Sequence, residues 1–179
     1  MKTRRFLTVP VGIMVLSAGV VLMTGTSSAE KDLRGVTQNW DKNLPSDSRF
    51  TVLTDFNNQA VRDNNTGLVW EQAPDGNAGT GAAAKLHCLR KVVGGTKGWR
   101  LPAVAELVSL QDPSLTAPFV PTVFSGVQDG YWSATADVTN PTLQGWVVGF
   151  NNTGDAGVSQ YNNFAFVWCV RGPMNADMY

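Results

Sequence analysis

The chain has 179 residues, with 14 basic and 14 acidic side chains, two cysteines and one histidine. Its first 29 residues read as a signal peptide, whose removal takes away Lys2, Arg4 and Arg5 and leaves a net charge of about −3. The remainder, about 150 residues, is enough for one core but not comfortably for two, and its mildly acidic balance argues against general nucleic-acid binding.

The leader has a basic head, an apolar centre from Val9 to Met23 and small residues at Ser27-Ser28-Ala29. The apolar run is short for a membrane span and contains Pro10 and Gly12, so no membrane insertion is expected after cleavage. Residues 30–48 form a polar N-terminal extension containing Trp40. A single folded domain is expected over 49–172, followed by a short tail at 173–179.

Phe50-Thr51-Val52-Leu53 opens the domain as a strand. Ala60-Val61-Arg62-Asp63 and Leu68-Val69-Trp70-Glu71 flank the turn residues Asn64-Asn65-Thr66-Gly67, a hairpin signature. Pro74 to Gly81 reads as a glycine-rich loop. Ala82 to Lys91 predicts a helix with Ala82, Leu86, Leu89 and Val93 on its inner stripe, stopped by Gly94-Gly95.

The centre of the chain is Gly98-Trp99-Arg100-Leu101-Pro102, which runs into Ala103 to Asp112, a second helix with Val104, Leu107, Val108 and Leu110 apolar. Pro102 suits a helix start. Ala103 sits at the N-cap position three residues before Glu106, a capping box without its hydroxyl. A threonine at 103 is expected to add about 0.5–2 kcal/mol, the usual worth of a cap.

Pro113 to Gly130 predicts a long loop. Tyr131 to Thr135 reads as a strand, Asn140-Pro141-Thr142 as a turn, Gly145 to Phe150 as a buried strand, Asn151 to Asp155 as a reversal, and Phe164 to Arg171 as an alternating closing strand. The tryptophans at 70, 99, 132, 146 and 168 fall in strand-like or corner contexts, where a buried ring is the default.

Export places Cys88 and Cys169 in an oxidising compartment, where one disulfide is the natural reading; a free catalytic Cys88 beside His87 is the alternative. No HExxH, nucleophile elbow, P-loop or CxxC motif is present, so no catalytic residue and no cofactor is assigned. Asn151, Asn152 and Asp155 lack EF-hand spacing, and no metal site is assigned. Lys85, Arg90, Lys91, Lys97 and Arg100 form a basic stretch suited either to an acidic ligand or to a solvated face with its charges balanced in space.

Taken together, Asp63, Thr66-Gly67-Leu68-Val69-Trp70-Glu71, Cys88, Gly98-Trp99-Arg100-Leu101-Pro102 with Glu106-Leu107, Tyr131-Trp132-Ser133-Ala134-Thr135 and Cys169-Val170-Arg171 resemble the Legionella collagen-like protein C-terminal domain family, a domain of unknown function. The likeness runs from about Asp55 to Gly172 and departs at Ala103 and Ala134. It implies an α+β, C-type-lectin-like fold of two short helices on a small twisted antiparallel sheet with long loops. It implies structural roles for Gly67, Trp70, Trp99, Arg100, Pro102, Glu106 and Trp132, and a Cys88 to Cys169 bond. Ligands of that fold meet the loop region, here between Pro113 and Asn163.

The characterised family member is an adhesin for sulfated glycosaminoglycans; this chain has no collagen-like repeat, and the Glu-Pro-Asn and Trp-Asn-Asp motifs of calcium-dependent lectins are absent. The expected function is an exported, noncatalytic adhesion module of a bacterial envelope, periplasmic or secreted, that binds a glycan or an envelope protein. Its candidate ligand residues are Asp129, Asn151, Asn152, Asp155, Tyr161, Asn162 and Asn163. The alternatives are an enzyme of the formylglycine-generating, sulfatase-modifying type and a structural subunit of an envelope assembly.

Overall fold

A computed structural model describes residues 44–151 and 154–172. The expected signal peptide, Trp40, Asn152 and the tail lie outside the described residues. The architecture is α+β, with two principal helices and two sheets. A one-turn helix, α1 (Ser46–Arg49), leads into β1 (Phe50–Val52), β2 (Ala60–Asp63) and β3 (Val69–Glu71), then β4 (Ala78–Gly79), α2 (Gly81–Arg90) and α3 (Val104–Val108). The chain continues through β5 (Tyr131–Ala136), β6 (Gln144–Val148), β7 (Ala156–Gln160), β8 (Ala165–Phe166) and β9 (Val170–Arg171).

The first sheet has the order β1-β2-β3-β9 and the second β4-β8-β5-β6-β7. There are thus two sheets where one was expected, and the second is mixed, because β5 and β8 run parallel. The hairpin of β2 and β3 forms as predicted, with Gly67 at φ 75°, a conformation that favours glycine. Gly67 N–H donates to the Asp63 carbonyl at 2.7 Å.

The closing strand is the largest departure from the alternating pattern of Phe164 to Arg171. It breaks into β8 in the second sheet and β9 in the first. Val167, Trp168, Cys169 and Val170 are all buried, since the chain between the two sheets is enclosed on every side rather than on alternate ones. Trp168 Nε1 donates to the Glu71 carbonyl at 2.9 Å.

Two apolar clusters result. One gathers Val61, Leu68, Trp70, Leu107, Leu110, Tyr131, Phe150 and Trp168. The other gathers Phe56, Val69, Ala84, Cys88, Trp99, Trp132 and Cys169. Trp70, Trp99, Trp132 and Trp168 are fully enclosed, whereas Trp146 is only half-buried.

The inner face of α2 is Gly81, Ala84 and Cys88, and not the expected leucine stripe: Leu86 is 40% exposed and Leu89 69%. The disulfide and the Tyr161 ring decide this. Cys88 bonds Cys169 with their Cα atoms 5.4 Å apart, and a Cβ on Gly81 would sit 2.3 Å from the Tyr161 ring. The helix also ends at Arg90, before Gly94-Gly95, which instead turns the chain between Val93 and Thr96.

Helix α3 is five residues long, shorter than expected, and begins at the Ala103 cap. Glu106 Oε2 accepts from the Ala103 N–H at 2.8 Å, which is half of a capping box; an alanine side chain cannot supply the other half. Thr135 Oγ1 accepts from the Val104 N–H at 3.0 Å, so β5 supplies part of the cap. Ala103 is fully buried. A threonine there adds two heavy atoms to a filled space, and overpacking offsets the gain expected from the cap.

Strands β4 and β7 have no counterpart in the sequence reading. β4 is two residues of glycine-rich chain, and β7 is exposed along most of its length, so neither shows alternation.

The disulfide ties residues 81 apart in sequence. Replacing both cysteines by alanine is expected to cost about 4–5 kcal/mol on the loop-entropy account. A lowered urea midpoint with an intact native near-ultraviolet spectrum in buffer checks this.

Candidate functional site

The long loop and the turn after β6 are fixed by side-chain to backbone bonds. Gln111, just beyond α3, donates from Nε2 to the carbonyls of Gly149 at 2.8 Å and Gly154 at 2.6 Å. Asp129 Oδ1 accepts from the N–H groups of Phe150 at 3.2 Å and Asn151 at 3.3 Å. The Phe119 N–H donates to the Phe150 carbonyl at 2.9 Å, and the Asp112 N–H donates to the Phe119 carbonyl at 2.7 Å. Asp112 Oδ1 accepts from both the hydroxyl and the N–H of Ser114, which holds its carboxyl below the usual range.

Between these elements lies an open groove of about 300 Å³ lined by Val108, Gln111, Pro113, Phe119 and Gly154. It is mostly apolar, with one amide. Gly154 has φ +68°, and a Cβ there would stand 3.5 Å from the Phe119 ring, so this glycine keeps that side of the ring uncovered.

The seven candidate ligand residues divide. Asp129 and Asn151 come together at the turn beside this groove, and Asp155 closes the same turn, its carbonyl accepting from the Gly149 N–H at 2.8 Å. Asn152 lies outside the described residues. Tyr161, Asn162 and Asn163 sit at the other end of β7, about 20 Å from Asp155 at the usual strand rise over six residues.

Tyr161 packs inward. Its ring is 5.8 Å from Trp132 and 5.7 Å from the Lys85 ammonium, and burial pushes its phenol up. Asn162 is exposed, and Asn163 Nδ2 donates to Ser159 Oγ at 3.1 Å. The groove residues Val108, Gln111, Pro113, Phe119 and Gly154 were not singled out from sequence. The available signal was one aromatic ring, Phe119, set among Pro113, Pro118 and Pro121.

A second cleft of about 280 Å³, lined by Asn58, Gln59, Glu71, Gln72, Ala73, Lys91, Val92 and Val93, has a charge network at its base. Lys91 Nζ lies 2.6 Å from Glu71 Oε1 and 2.7 Å from Asp75 Oδ2. Glu71 Oε2 accepts from the Cys169 N–H at 2.7 Å, and His87 Nε2 is 3.4 Å from Asp75 Oδ2. Burial holds the Glu71 carboxyl above its usual value against the pull of Lys91 and the Cys169 amide. Lys91 is itself desolvated, but its two carboxylate partners raise its ammonium above the ordinary lysine value.

The network anchors β3, α2 and the disulfide strand. It also disperses the basic stretch seen in the sequence: Lys91 pairs here, Arg100 pairs with Glu106, and Lys85 lies over Tyr161. Among the described residues, no group of three or more His, Cys, Asp or Glu is placed to hold a metal ion, and no helix is long and apolar enough to cross a membrane.

Residues 59–171 match the family model of the Lcl C-terminal domain. The chain belongs to this family. A comparison with curated proteins finds no match. The motif residues that carry the Lcl likeness do structural work in this chain. Arg100 grips Glu106 with two bonds of 2.7 and 2.6 Å, and Arg100 N–H donates to the Val170 carbonyl at 2.8 Å. The Pro102 carbonyl accepts from Ala134 N–H at 2.7 Å, Trp132 Nε1 donates to the Gly79 carbonyl at 2.8 Å, and Trp99 Nε1 donates to the Thr96 carbonyl at 2.8 Å. These Lcl positions define a scaffold, and the groove is lined by residues outside the motifs, Val108 directly following Glu106-Leu107 on α3.

Replacing Lys91 by methionine strands a buried carboxylate and is expected to cost about 2–3 kcal/mol at pH 7, below the full buried-pair figure because Lys91 keeps some solvent. Protonation of Glu71 removes the stranded charge, so the stability gap to the wild type narrows as pH falls through the raised Glu71 value. In the wild type, the contribution of Lys91 is present below the ordinary lysine value and is lost as pH rises through its raised one. Urea midpoints of both proteins between pH 4 and 8 check the first statement, and wild-type midpoints above pH 10 the second.

Proposed function

We propose that this chain is an exported, noncatalytic recognition module of a bacterial envelope, processed after Ala29, whose 49–172 domain is C-type-lectin-like and meets a glycan or an envelope protein through the loop face beside α3. The observation that carries this reading is the groove around Phe119, floored by an aromatic ring and bordered by a turn that Gln111 and Asp129 hold in place. A preorganised apolar surface with a few polar groups at its rim is the usual form of a small-ligand subsite. Asn151 and Asp155 are the rim residues on that turn.

The noncatalytic reading rests on the sulfurs. Both cysteines are bonded to each other and fully buried, which leaves the formylglycine-generating type of chemistry without a thiolate among the described residues. Family membership and an exported disulfide agree with an adhesive role and with a periplasmic or secreted location.

The test is binding of the wild type and of Phe119→Ala to an array of bacterial and host glycans and to immobilised envelope proteins. Phe119→Ala is expected to weaken wild-type binding by about ten-fold or more, the loss of one buried aromatic contact at a binding centre. Equal binding by both proteins, with equal melting temperatures, overturns the groove as the site.

A further inference from the structure

The first sheet carries two arginines on one face, and neither has an acidic partner among the described residues. Arg62 on β2 stands opposite Val69 on β3, and Val69 stands opposite Arg171 on β9. Residues paired directly across strands share a face of the sheet. Val69 packs with Phe56 and Trp99 in the second cluster, whereas Val61 and Val170, the chain neighbours of the two arginines, belong to the first. Both arginines therefore rise on the Phe56 side. Two strand spacings separate them, about 10 Å between Cα atoms, a gap that two arginine side chains can close.

The Arg171 guanidinium is 5.9 Å from the centre of the Phe56 ring, and its Nε passes over Gly98, where a Cβ would stand 3.7 Å away. Arg62 Nε is buried and has no hydrogen-bond partner among the described residues. The more deeply set cations nearby are paired, Arg49 with Asp63, Lys91 with Glu71 and Asp75, and Arg100 with Glu106, whereas Lys85 and Arg90 on α2 are exposed to solvent. A buried donor without an acceptor is uncommon in a folded protein, and a bound ion or ligand is one explanation for it. Trp70 Nε1, enclosed in the core, is another such donor, but Arg62 differs in standing beside a second arginine on a partly exposed sheet face.

We propose that Arg62 and Arg171 form a carboxylate-binding site on the first sheet. The planar guanidinium fork matches a carboxylate in bidentate fashion, and two forks on one face accommodate its two oxygens. Tetrahedral oxyanions are more commonly cradled by backbone N–H groups at a helix start or in a nest, and the arginines here stand on strands whose backbone is engaged in the ladder. The Phe56 ring beside Arg171 supplies an apolar wall for the carbon skeleton that bears the carboxylate. This site is separate from the groove at Phe119 and does not depend on it.

The test follows the arginine Nε–H signals of the ¹⁵N-labelled protein at physiological salt. One arm is titrated with N-acetylglutamate, a peptide-type carboxylate, and the other with galacturonate, a sugar-type one. Saturable shifts at Arg62 and Arg171 in either arm are the expected result, and the tighter arm identifies the source. Binding is expected to weaken about ten-fold or more in Arg62→Gln and Arg171→Gln, the loss of one charge-assisted bidentate contact. It is expected to be unchanged in Arg90→Gln, whose side chain is exposed on α2.

Arg171→Lys keeps the charge without the fork and is expected to bind weakly. It carries the test if Arg62→Gln fails to fold, as judged by its melting temperature. No saturation with either carboxylate, an equal response to sodium sulfate, or equal affinity in the arginine variants and Arg90→Gln overturns the proposal.

Discussion

The structure depends on what is joined at Cys169. Its sulfur is bonded to Cys88 on α2, and its N–H donates to the buried carboxylate of Glu71 on β3, which in turn holds Lys91 just past the end of α2. The residue before it, Trp168, spans from the Glu71 carbonyl into the first apolar cluster, and the residue after it starts β9. One covalent bond and one charged network therefore fix a helix, a sheet and the passage between the two sheets at a single place. A ring of enclosed tryptophans can pack around that place because its position is already determined.

The ionic contacts follow the same logic. Arg49 bridges α1 to Asp63 on β2 and to the Ser109 carbonyl beyond α3, and Arg100 bridges the segment before α3 to Glu106 within it. Each of the three acids, Asp63, Glu71 and Glu106, is almost wholly enclosed. Desolvating such pairs costs about as much as they return, so their contribution is to fix which elements meet rather than to add net stability.

Much of this was legible in the sequence where a local rule decides the outcome. The Asn-Asn-Thr-Gly turn needs a glycine in the left-handed region, and Gly67 occupies it. The Ala103 cap and Glu106 are read from spacing alone, and the sulfur pairing follows from there being two cysteines. What was not legible was set by distant partners. The inner face of α2 is chosen by Cys169 and the Tyr161 ring, so small residues face inward and Leu89 faces water. β7 escapes pattern reading because it is an exposed edge strand. Among the site residues, the polarity of Asp129 is visible in the sequence but its role as acceptor for the Phe150 and Asn151 N–H groups is not. No local pattern marks Phe119, whose place in the groove is set by Gln111 and Gly154 from distant parts of the chain.

The disulfide also has a mechanical meaning. When the chain is pulled from both sides, tension passes from Cys88 directly to Cys169, and the interval between them cannot lengthen while the bond holds. The groove at Phe119, the Gln111 brace and the turn ending at Asp155 all lie within that interval. An end-to-end pull is thus carried by the frame, and the loops between the two sulfurs bear none of it.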